Sequence, residues 1–166
     1  MINLKIQKLT NVQLPSKAHS TDAGIDFYLP QDLNYIIQNG KNIKIETYND
    51  IGVVKTAIAI YPNQSLLLPM GVKTEFNNNY ALVFFNRSGT ATKKHLLRGA
   101  CVVDSAYRGE LLLNLNNVSN EKQYILPGEK IIQGLLLPVP EVEIIEAEVN
   151  TNTDRGECGF GSTDKK

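Results

Sequence analysis

Apolar and polar residues alternate along this chain only in short stretches, and proline or glycine interrupts almost every one of them. The stretches are Ile2, Leu4 and Ile6; Ile43 and Ile45; Val53 to Ile60; Ser65 to Leu68; Tyr80 to Phe85; Leu111 to Leu115; Ile131 to Leu137; and Val142 to Val149. Between them stand LPQD, QNGK, YPNQ, LPMG, RSGT, YRGE, LPGE and LPVPE. A period of two over runs this brief suits half-buried strands and leaves little room for helices. The rhythm therefore predicts an all-β sandwich or barrel, not alternating βαβ units. Only Thr90 to Leu97 reads as a short helix, so at most one is expected.

At 166 residues the chain fits one domain with a core of its own. We place the β domain at 1–149, with an extra hairpin or excursion at 31–57 around the asparagine-rich NYIIQNGKNIKIETYND, and a flexible C-terminal arm at 150–166. The arm, NTNTDRGECGFGSTDKK, loses the alternation and cannot bury itself. Basic and acidic residues balance at 17 each, so no global field draws the chain to nucleic acid or to an acidic membrane. Cys101 and Cys158 lack the spacing of a zinc site or a disulfide framework, which fits reduced thiols and a cytoplasmic location. MINLKIQKLT alternates, and reads as a first strand and not as a signal peptide or membrane span.

Five stretches do not look like core. HSTDAGIDFYL sets Asp22 and Asp26 around a glycine. NRSGTATKK offers Arg87, Ser88 and Gly89 at a strand end, where a guanidinium, a hydroxyl and free N–H groups can hold an anion. VVDSAYRGEL would carry Asp104 and Tyr107 on a hairpin, or be an Asx-turn with a packed tyrosine. PGEKIIQGLLL has a lone amide, Gln133, in an apolar strand. RGECGFGSTD joins Arg155, several glycines, two hydroxyls and an aromatic, Phe160, in a phosphate-cradling composition, with too few residues after it for the helix that usually completes such a cradle. Taken together they ask for one ligand with several phosphates, a flat ring, and a carboxylate nearby to take a proton.

In order and spacing, DAGID, RSGTA, VVDSAYRGE, GEKIIQ and RGECGFGST resemble the five motifs of the trimeric dUTP pyrophosphatase (dUTPase) family, over Leu4 to Thr163. The resemblance implies a β-barrel-like jelly roll and a homotrimer whose active sites are shared between subunits. It also implies hydrolysis of dUTP to dUMP and pyrophosphate with Mg2+. Position by position, Asp104 matches the carboxylate that activates water, and Arg87, Ser88, Gly89 and Gln133 match polar groups around the phosphates, Gln133 near the attacked phosphorus. Tyr107 matches the ring beneath the deoxyribose that leaves no room for a 2′-hydroxyl. The backbone from Gly99 through Val103 to Tyr107 is implied to read the uracil edge. Asp26 matches a carboxylate near the metal that acts through water. In the arm, Arg155 is implied to reach the terminal phosphate, Phe160 to cover the uracil, and Gly161, Ser162 and Thr163 to cradle phosphate oxygens.

The chain departs from the family pattern at Cys101, Ile132, Thr90 and Asp164, none of them a reacting group. Two alternatives stand beside the main reading. A dCTP deaminase shares the fold, but its catalytic glutamate falls where this chain has Asn114, and an amide cannot shuttle that proton. A nucleotide-binding regulatory protein would use the 31–57 excursion to meet a protein partner.

Overall fold

The computed structural model describes residues 2–38, 40 and 43–158. The described chain opens with β1 (Lys5–Lys8) and β2 (Ile25–Tyr28), then passes through α1 (Leu33–Gln38) into a hairpin of β3 (Lys44–Asp50) and β4 (Val53–Ile60). β5 (Ser65–Pro69), β6 (Val72–Glu75) and β7 (Tyr80–Asn86) follow. After α2 (Ser88–Lys93) come β8 (Leu96–Arg98), β9 (Val102–Val103), β10 (Leu112–Asn117), β11 (Gln123–Ile125) and β12 (Lys130–Pro138). The strands pair antiparallel in four small sheets, ordered β1-β6, β5-β10-β8, β11-β4-β3 and β2-β12-β7-β9. The fold is all-β, a jelly-roll-like barrel. No helix among the described residues is long and apolar enough to cross a membrane.

Alternation does the packing. In β10, Leu113, Leu115 and Asn117 face inward while Leu112, Asn114 and Asn116 do not. Full burial of each such leucine removes apolar surface worth ~1.5–3 kcal/mol. Asn117 is buried but satisfied: its Nδ2 donates to the Ile60 and Glu121 carbonyls, and its Oδ1 accepts from Ser119. At the centre, Phe27 of β2 meets Phe84 of β7 edge to face, with centroids 5.1 Å apart. β12 carries a register shift between Lys130 and Ile132, and both Ile131 and Ile132 lie in the core. The isoleucine that departs from the family pattern thus fills core space.

Three expectations need correction. There are two short helices among the described residues, not one at most, because Asp32 caps α1 by accepting the Asn34 N–H and Ile36 anchors it in the core. The alternating stretch Val142 to Val149 forms no strand. Ile144 and Val149 are almost fully exposed there, since a strand needs a neighbour and none pairs with it among the described residues. Finally, α2 ends at Lys93, and Leu96 and Leu97 belong to β8.

The β3–β4 hairpin has a buried base and an exposed tip. Residues 57–60 are fully buried, while Val53, Val54 and Ile51 project outward, Ile51 being 99% exposed. At its base, Glu46 accepts from Lys122 Nζ at 2.8 Å and from the Tyr61 hydroxyl, and pairs with Lys44. The Lys122 and Tyr61 hydrogen bonds hold the Glu46 carboxyl down to about 2, and Glu46 in turn raises Lys122.

Candidate active site

One group of polar side chains is gathered where β2, β12 and the end of β7 meet. Gln133 of β12 pairs with Asp26 on one side and Phe85 on the other, so the antiparallel register brings the second, fourth and part of the first singled-out stretches together. Arg87 Nε donates to Asp26 Oδ1 at 2.9 Å, and an Arg87 terminal nitrogen donates to the Lys130 carbonyl at 3.0 Å. Lys130 Nζ approaches Asp26 Oδ2 at 3.0 Å, and this hydrogen bond raises the lysine's pKa. Gln133 Nε2 donates to the Asn86 carbonyl at 2.9 Å. Gly24 lies so close to Gln133 that a Cβ there would collide with the amide oxygen. Beside this cluster a cavity of about 500 Å³ is lined by Ala23, Gly24, Phe85, Asn86, Arg98, Gln133 and Leu135.

Lys130 was not singled out from the sequence. A lysine in GEKIIQ reads as an ordinary solvent-facing strand residue, and only the strand pairing brings its ammonium to Asp26. Ser88 is exposed and, with Gly89, opens α2 immediately after Arg87.

Asp104 and Tyr107 lie elsewhere. Both follow β9 on a turn closed by the Tyr107 N–H to the Asp104 carbonyl, at 3.1 Å, and both are exposed. The Tyr107 hydroxyl folds back to donate to the Glu110 carbonyl at 2.8 Å, and Gly109 leaves the ring room to do so, since a Cβ there would strike the phenol. A smaller cavity of about 200 Å³ is bounded by Val102, Val103, Asp104, Tyr107, Leu111 and Leu112. Gly99 donates its N–H to the Asn114 carbonyl at 3.0 Å. Cys101 is half-buried against the core, and its carbonyl accepts the Phe84 N–H at 2.8 Å.

The two groups are not brought together within one chain. Val103 pairs with Leu82 of β7, five residues before Arg87, which directly follows that strand, so at ~3.3 Å per residue Val103 stands roughly 17 Å from the arginine along the strand direction, and the antiparallel course carries the turn away from it. Arg155 is exposed, and its Nε donates to the Cys158 carbonyl at 3.0 Å. Phe160, Gly161, Ser162 and Thr163 lie outside the described residues, as does Asp164.

No three acidic, histidine or cysteine groups converge on a metal position among the described residues. Asp26, with both oxygens already in ion pairs, suits contact with a hydrated divalent ion through water better than direct ligation. A cation held mainly by phosphate oxygens asks for no more than that. Asn114 ties β10 to β5: its Nδ2 donates to Ser65 Oγ at 2.8 Å and to the Leu66 carbonyl at 3.2 Å.

Comparison with known proteins gives one consistent result. The family model described as dUTPase matches residues 50–164. A deoxyuridine 5′-triphosphate nucleotidohydrolase of Fusobacterium nucleatum is 36% identical over 129 residues, covering 74% of this chain and 88% of the relative. One from Anaplasma marginale is 30% identical over 168 residues, covering 98% and 99%. Among solved structures, a dUTPase of Staphylococcus bacteriophage 80alpha with dUpNHpp superposes with a TM-score of 0.73 at 22% identity, covering 97% of this chain and 98% of that one. A phage phi11 dUTPase described with a structural Mg(II) ion reaches 0.67 at 19% identity, covering 89% and 98%. These last two likenesses speak to the fold, whereas the family match and the curated relatives, spanning most of the sequence, show that the chain belongs to the dUTPase family.

Proposed function

We propose that this dUTP diphosphatase cleaves dUTP to dUMP and pyrophosphate by in-line attack of water on the α-phosphorus. It would thereby limit uracil in DNA and supply dUMP for dTMP synthesis. The activity follows from family membership. The mechanism rests chiefly on one observation: a cluster of Arg87, Asp26, Lys130 and Gln133, two cations on one carboxylate and so one positive charge in excess, stands apart from an exposed carboxylate and ring, Asp104 and Tyr107. Each group is half of what phosphoryl transfer needs.

In this mechanism Asp104 takes the proton of the attacking water. Arg87, Ser88 and Gly89 hold phosphate oxygens, and Gln133 steadies the charge that grows at the attacked phosphorus. Tyr107 underlies the deoxyribose, and the backbone around Gly99 and Val103 reads the base. Arg155, Phe160, Gly161, Ser162 and Thr163 close over the nucleotide as an arm formed by residues 150–166. A bound magnesium ion would supply charge neutralisation across the triphosphate, with Asp26 holding its waters.

A homotrimer with sites shared between subunits fits the separation of the two groups. It also fits the exposed apolar residues Val142, Ile144, Ile145 and Val149, which a neighbouring subunit would cover. The 31–57 excursion remains available to a regulatory protein partner. The test is pyrophosphate release from dUTP, dTTP, dCTP and UTP, with and without magnesium. Magnesium-dependent cleavage of dUTP well above the others is expected. Conversion of dCTP to dUTP would instead favour the deaminase reading, against which Asn114 stands.

A further inference from the structure

Helix α1 belongs to the excursion, yet it touches the turn that carries Tyr107. The Tyr35 hydroxyl donates to Glu110 Oε1 at 2.6 Å, a length typical of a hydroxyl on a carboxylate. The same oxygen accepts the Gly71 N–H at 2.8 Å, in the bend between β5 and β6. One atom of Glu110 therefore joins three separate parts of the chain. Its backbone carbonyl, in turn, receives the Tyr107 hydroxyl. Glu110 is also fixed from behind, because Leu111 exchanges backbone hydrogen bonds with Val72 and Met70. At the other end, α1 cannot drift: Asp32 caps it and Ile36 is fully buried.

We infer that Tyr35 is a positioning residue for the sugar-binding turn, setting through Glu110 the place of the Tyr107 ring and hence the preference for deoxyribose over ribose. This rests on the reading that Tyr107 underlies the sugar. Exclusion of one hydroxyl by a ring depends on how firmly the ring is held, because a ring free to retreat by a fraction of an ångström admits the extra atom. Tyr107 is otherwise exposed and lacks core packing to hold it, so the hydrogen bond to Glu110 carries that duty, and Tyr35 and Gly71 carry it for Glu110. The excursion thus contributes to substrate choice without touching the substrate.

The experiment compares wild-type protein with Tyr35→Phe, which loses only the hydroxyl, and with Glu110→Gln, which keeps an acceptor without the charge. Tyr48→Phe, in the β3–β4 hairpin and stacked on Tyr124, is the control. The ratio of kcat/KM for dUTP to that for UTP is expected to fall about tenfold in Tyr35→Phe, the scale of a lost hydrogen bond to a charged group. It should fall less in Glu110→Gln and not at all in Tyr48→Phe. A merely structural role would lower both nucleotides together and leave the ratio unmoved. Amide hydrogen exchange across 102–111 should quicken in Tyr35→Phe with β12 unchanged. An unaltered ratio in both variants overturns the inference. Should wild-type protein cleave neither nucleotide, the functional reading has failed separately, and unchanged exchange across 102–111 would then overturn the brace itself.

Discussion

Asp26, Arg87, Lys130 and Gln133 are bound to one another across paired strands, whereas Asp104 and Tyr107 stand on a tight turn facing solvent. The first group already pairs its one carboxylate with two cations, leaving one positive charge in excess for an anion. It can exist preformed in a single chain, and a triphosphate would exchange partners within it. The second group offers a carboxylate and a ring with little around them, and gains its setting only from whatever is brought against it. On the proposed mechanism, a site assembled from a rigid half and an open half would place precision at the phosphates and leave the open half to be completed from outside.

The sharpest way to break this contrast is Asp104→Asn. Turnover is expected to fall ~10²–10⁴-fold while nucleotide binding persists, which steady-state kinetics beside equilibrium binding would measure. Near-normal kcat would remove Asp104 from its role and with it the open half. Deleting 151–166 asks whether the barrel is complete without the arm. About a hundredfold loss of kcat/KM with an unchanged thermal midpoint is expected, since among the described residues those from 139 to 158 lie in no strand. A truncated chain that fails to fold would put the boundary elsewhere.

Gly24→Ala tests the rigid half. The added methyl collides with the Gln133 amide, so a roughly tenfold drop in kcat with little change in KM should follow, because the amide is held within tight limits. Unaltered kcat would show the cluster to be more yielding than its hydrogen bonds suggest.

The smallest effect lies outside both halves. Glu46 is held at about 2 against an ordinary 4.5, so its contribution to stability is full above pH 4.5 and is lost as pH falls from there toward 2. Urea midpoints near pH ~5 and pH ~3 should differ less in Glu46→Gln than in wild-type. An equal acid response in the two would place the acid sensitivity elsewhere.

Sequence reasoning reached the fold class through alternation, and the longer strands β4, β7, β10 and β12 stand where the alternation lies. It missed β6 and β11 because VKTE and QYI are too short for a period of two to register. It read Val142 to Val149 as a strand because alternation states which faces differ, not whether a neighbour exists. Of the site, Arg87, Asp26 and Gln133 were legible as residue types, and their meeting depends on the β2-β12-β7 register, which no local pattern encodes. Lys130 and Tyr35 were illegible for the same reason: Tyr35 meets Glu110 across 75 positions of sequence.

The tip of the β3–β4 hairpin sets a ceiling on the ruggedness of the molecule. Asp50 pairs with Val53, so the loop is only Ile51 and Gly52, and both take the left-handed backbone, with φ of 50° and 80°. A β-branched residue is ill suited to that geometry, at ~1–2 kcal/mol, and asparagine before glycine is the pairing such loops favour. Anyone wishing to harden this protein would therefore start with Ile51→Asn, since that side chain packs against nothing the core would miss.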